Sequence, residues 1–61
     1  MLEQQYISAF TKCYPQKRVE VKHRFNKQGQ FVGFAVGIDG DFGNMVLSAD
    51  DLRFAIREFQ R

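Results

Sequence analysis

Reactive chemistry in this sequence would have to start from its one histidine, His23, its one cysteine, Cys13, and the carboxylates Asp39 and Asp41. Nucleophilic catalysis needs a nucleophile, a base and an orienting group within reach of one another. His23 lies on the apolar side of an alternating stretch, and Cys13 on the apolar side of a helical repeat. Both are expected in the core or at its edge, not together in a cleft. Asp39 and Asp41 flank Gly40 at a hairpin tip, where no cleft raises either pKa for acid–base work. With Asn44 they share D-x-D-x-x-N spacing with part of a calcium loop, but the distal bidentate Glu of such a loop is missing. One Cys and one His are too few for zinc. Gly33, Gly37, Gly40 and Gly43 fall within a hairpin pattern and make no phosphate loop. No catalytic centre, metal, cofactor or small-molecule substrate is expected.

The cations are more informative. Residues 17–27 carry Lys17, Arg18, Lys22, Arg24 and Lys27 against Glu20 alone, a local net of +4. Residues 39–61 carry five carboxylates against Arg53, Arg57 and Arg61, a local net of −2. The overall charge of +2 hides this polarity. Phosphates attract Lys and Arg, and unpaired bases stack on aromatic rings. A basic segment therefore points to nucleic acid where aromatic residues share its face.

The elements that position these residues follow from periodicity. Leu2, Tyr6, Ala9, Phe10 and Cys13 recur at helical spacing, and Tyr14-Pro15 stops that helix. Residues 18–25 alternate, with Val19, Val21, His23 and Phe25 on one side and Arg18, Glu20, Lys22 and Arg24 on the other. Residues 31–38 and 42–47 are two more β-rich runs. Ser48, with Asp51 three residues on, opens a second helix over 48–60, whose apolar face is Leu52, Ala55, Ile56 and Phe59. Asp50 is placed to neutralise Arg53. The expected fold is one α+β domain over residues 1–61: a three-stranded antiparallel meander with one helix before and one after (α-β-β-β-α). Both helices cover one sheet face. This order is similar in topology to that of double-stranded-RNA-binding domains. However, Ala49-Asp50-Asp51 stand where that family carries phosphate-gripping lysines, so no family is assigned.

Turn chemistry sets the expected register. Asp39-Gly40 reads as a two-residue hairpin loop. It pairs Ile38 with Asp41, Phe34 with Met45 and Val32 with Leu47. For the first hairpin, a four-residue loop over 27–30 pairs Phe25 with Val32 and Val19 with Ile38. A three-residue loop would turn Lys22 and Arg24 into the core, since a one-residue slip moves every side chain to the other face. The outer face then collects Arg18, Lys22 and Arg24 beside Phe31, Phe42 and Val46, over a middle strand of Gly33, Ala35 and Gly37. Contiguous exposed apolar surface marks an interaction site, although Phe42 could instead fold over Gly37 as a cross-strand cover.

Arg18, Lys22, Arg24, Phe31, Phe42 and Val46 are thus the candidate binding residues of a small non-catalytic module. Nucleic acid, single- or double-stranded, is the leading partner class. A protein partner or a second copy forming a homodimer on the same face is the alternative, because a 61-residue domain without disulfide or metal is marginal alone. No apolar run approaches the ~20 residues a bilayer needs. The first residues lack a basic flank and an apolar stretch, so no leader peptide is expected. A lone cysteine fits a reducing cytoplasm.

Overall fold

In the computed structural model, which describes all 61 residues, the elements run α1 (Leu2–Cys13), β1 (Val19–Phe25), β2 (Phe31–Ile38) and α2 (Ala49–Phe59). The order is α-β-β-α with a two-stranded antiparallel sheet. The α+β class holds, and the expected third strand does not form. The stretch after the Asp39-Gly40 turn touches β2 only at isolated bridges, Ile38 with Asp41 and Phe34 with Leu47. Between those bridges, the residues from Phe42 to Val46 span what only Ala35, Val36 and Gly37 span on β2. The surplus cannot stay in a ladder. Asp41 Oδ1 accepts from the Gly43 N–H at 3.1 Å and bends the chain outward. Met45 consequently does not face Phe34; it stands 69% exposed.

The Asp39-Gly40 loop itself forms as the residue types demand. Asp39 has φ 55° and Gly40 φ 88°, the double positive φ of the tight turn that matches strand twist. The first hairpin resolves a conflict differently from expectation. Asn26 N–H donates to Gln30 O at 2.9 Å, and the Asn26 side chain accepts from Gln28 N and Gln30 N, each at 2.9 Å. This closes a three-residue loop over 27–29. A bulge then restores the core register, because Phe25 pairs with Phe31 while Arg24 pairs with Gly33, leaving Val32 without an opposite. From Arg24 back to Val19 the pairing is the expected one, with Val21 opposite Val36 and Val19 opposite Ile38.

The core lies between the inner face of the hairpin base and both helices. Tyr6, Ala9 and Phe10 of α1 meet Val19, Phe34, Leu52 and Ile56, and Leu52 is fully enclosed. Tyr6, Phe10, Tyr14 and Phe59 pack edge-on or tilted at 5.0–6.3 Å and lock the two helices together. Burial pushes the Tyr6 phenol pKa up. Ser48 caps α2 in a full capping box: Asp51 N–H donates to Ser48 Oγ at 3.1 Å, and Ser48 N–H donates to Asp51 Oδ2 at 2.9 Å. No helix is long and apolar enough to cross a membrane.

Candidate functional site

The outer face of the hairpin is built by strand alternation. Lys22 pairs with Ala35 and Arg24 with Gly33, so both cations project on the side away from the helices. Phe42 and Val46 reach the same face from the irregular segment. Each settles on a glycine. A Cβ at Gly37 would lie 2.5–2.6 Å from Cζ, Cε1 and Cε2 of Phe42, and one at Gly33 would lie 2.5 Å from Val46 Cγ1. The small residues of β2 are therefore a bed for these side chains, not an open platform, and Ala35 is only 1% exposed.

The cations are partly engaged from within. Lys22 Nζ sits over the Phe42 ring, 4.5 Å from its centroid. Arg24 Nη2 donates to the Gly43 carbonyl at 3.2 Å, and Arg24 Nε is enclosed with no hydrogen-bond partner. Between them lies a shallow cleft of about 300 Å³ walled by Lys22, Arg24, Ala35 and Phe42. Two fixed positive charges beside a ring suit an anion attached to a flat apolar group. Arg18 stands exposed at the far end of the same stripe. There the Asp39 carboxylate accepts from Arg18 N–H at 3.0 Å and faces Lys17 Nζ at 3.5 Å. The Arg18 hydrogen bond, reinforced by the Lys17 and Arg18 charges, holds the Asp39 pKa below its ordinary value.

Phe31 is the candidate that the structure moves. The bulge at Val32 turns it to the inner side, where its ring lies 5.5 Å from His23, 6.0 Å from Phe25 and 5.2 Å from Phe34. Expecting it beside Phe42 required an unbroken ladder. Five of the six candidates, Arg18, Lys22, Arg24, Phe42 and Val46, share the outer face, and Phe31 belongs to a second patch at the hairpin tip. That patch extends beyond the helices: Phe25 is 61% and Phe31 50% exposed. Phe25 was readable as an inner-face residue, but nothing in periodicity says that the helices stop short of it. Phe54, on the solvent side of α2, is a further exposed ring, and its neighbour Arg53 is held by Asp50 at 2.8 Å.

The reactive side chains are apart and differently occupied. His23 Nε2 faces Glu3 Oε2 at 3.9 Å on the inner side. The Cys13 thiol donates to the Phe59 carbonyl at 3.3 Å, and Cys13 is exposed at the end of α1, not buried in its apolar side. No three His, Cys, Asp or Glu side chains converge to hold a metal ion. Comparison with protein-family models, with curated proteins and with solved structures finds no match.

Proposed function

We propose that this chain is a non-catalytic binding module that takes nucleic acid on the outer face of its hairpin. The observation that carries the reading is the cleft where Lys22 and Arg24 flank Phe42, with Arg18 exposed just before β1 begins. Cations along one strand follow a phosphate backbone, and a ring among them offers a surface for a base. A reducing cytoplasm accompanies this reading, supported by the unpaired Cys13. The test is an amide chemical-shift titration with a short single-stranded oligonucleotide and with a duplex, at low and moderate salt. Shifts centred on residues 18–24 and 42–46, weakening as salt rises, are expected. Absence of binding to both at low salt overturns the reading.

A second reading, contact with protein, is favoured by the exposed rings of Phe25 and Phe31 at the tip. Apolar surface of this kind is better matched to another apolar surface than to phosphate.

A further inference from the structure

We infer that the free edge of β1 is a self-pairing surface and that two copies join through it into one four-stranded antiparallel sheet. The inference rests on the protein-contact reading and names its occupant as a second copy of this chain. Its basis is the edge, not the outer face.

The sheet has only two strands, and β1 pairs on one side alone. Asp39 N–H donates to Arg18 O at 2.7 Å, which makes Arg18 and Asp39 a hydrogen-bonded pair. Antiparallel alternation then turns the N–H and C=O of Glu20, Lys22 and Arg24 toward β2. Those of Val19, Val21 and His23 point out along the free edge. A bare row of donors and acceptors is a template for another strand.

The side chains select both the partner and the register. An antiparallel second copy centred on Lys22 matches the whole strand. Val19 then meets Phe25 of the second copy, Glu20 meets its Arg24, and Val21 meets its His23. The outward-facing residues form the hydrogen-bonded pairs, and opposite charges fall on the closer, non-hydrogen-bonded ones. Centring on Val21 also makes an opposite pair, Glu20 with Lys22, but sets Arg18 against Arg24 twice, and centring on His23 sets Lys22 against Arg24 twice. One like pair remains in the favoured register, Lys22 against itself. The fold has already removed that obstacle, since the Lys22 ammonium is drawn across β2 onto Phe42, away from the free edge. Glu20, by contrast, has no salt-bridge partner within its own chain, and Arg24, which donates to the Gly43 carbonyl in the single chain, exchanges that bond for Glu20 of the second copy. The exposed Phe25 ring gains an apolar neighbour.

Charge complementation tests this on the intact chain by sedimentation equilibrium. Wild type should be a dimer at high micromolar concentration. Glu20→Lys and Arg24→Glu should each raise the dimer dissociation constant at least about tenfold, because two opposite-charge pairs become like-charge pairs. An equimolar mixture of the two variants should recover a heterodimer, since every crossed pair is again opposite in sign. Circular dichroism confirms that each variant is folded. Where Arg24→Glu fails to fold, oxidative cross-linking replaces it. Lys22→Cys in a Cys13→Ser background should form a disulfide-linked dimer, and Arg18→Cys in the same background should not. A wild-type monomer throughout overturns the inference. A wild-type dimer that neither complements nor cross-links at residue 22 overturns the edge and leaves self-contact through another surface, the tip aromatics first.

Discussion

The Phe42 ring lies over Gly37 so closely that a methyl group at that position would come within 2.5 Å of Cζ, while the Lys22 ammonium stands 4.5 Å from the ring centroid. Gly37→Ala should therefore push the Phe42 ring off its seat, at less than the ~1–3 kcal/mol of overpacking a closed core because the far end of the ring can swing outward. The penalty should shrink when Phe42→Ala is present as well, because the two residues share one contact. Urea denaturation of the four chains in that cycle measures both effects.

Asp39 makes stability depend on acid. Its folded pKa is depressed by the Arg18 N–H hydrogen bond and by the Lys17 and Arg18 charges. Its contribution is thus complete above the unfolded value near 3.8 and is lost as pH falls through the lower folded value. Asp39→Asn keeps a residue that tolerates the positive φ of this turn. That variant should lose stability less steeply than wild type below pH 4, as read from thermal midpoints across an acid series.

Ser48→Ala should destabilise the chain by roughly 0.5–2 kcal/mol, since it removes the acceptor for the Asp51 N–H and one half of the capping box. Asp51→Asn should cost less, because an amide oxygen can still accept from Ser48 N–H while the charge at the helix start is lost. Denaturant midpoints at constant slope check the order of the two variants.

For nucleic acid, Lys22→Ala and Arg18→Ala should each weaken binding across sequences and reduce the salt slope by about one unit. Phe42→Ala should lower affinity by about 1–3 kcal/mol with little change in that slope. Phe25→Ala should leave the titration unchanged if the ligand stays on the outer face. Anisotropy titrations at several salt concentrations separate these effects.

The parts of the fold that local chemistry dictates were legible. Asp39-Gly40 had to turn tightly, Ser48 and Asp51 had to cap, and the alternation from Arg18 to Phe25 had to place Lys22 and Arg24 together. The third strand was not legible. Alternation from Phe42 to Leu47 fits a strand, but it does not reveal that this stretch has more residues than the partner segment it must span. Phe31 was missed for a related reason. A three-residue loop and a four-residue loop compete at the tip, and the chain takes the shorter one and repairs the register with a bulge. The cover that Phe42 gives Gly37 was readable as an option, and packing chose it.

The bond from the Cys13 thiol to the Phe59 carbonyl joins residues 46 positions apart, and the Tyr6, Phe10 and Phe59 rings interlock beside it. The helices at the two ends of the chain thus complete each other, so neither can bury its rings until the hairpin between them has brought the ends round. Closing so long a loop carries an entropic cost before any contact rewards it. Folding should accordingly begin in the hairpin and finish with the helices. Phe59→Leu should then speed unfolding far more than it slows folding, an asymmetry that the two arms of a chevron plot record.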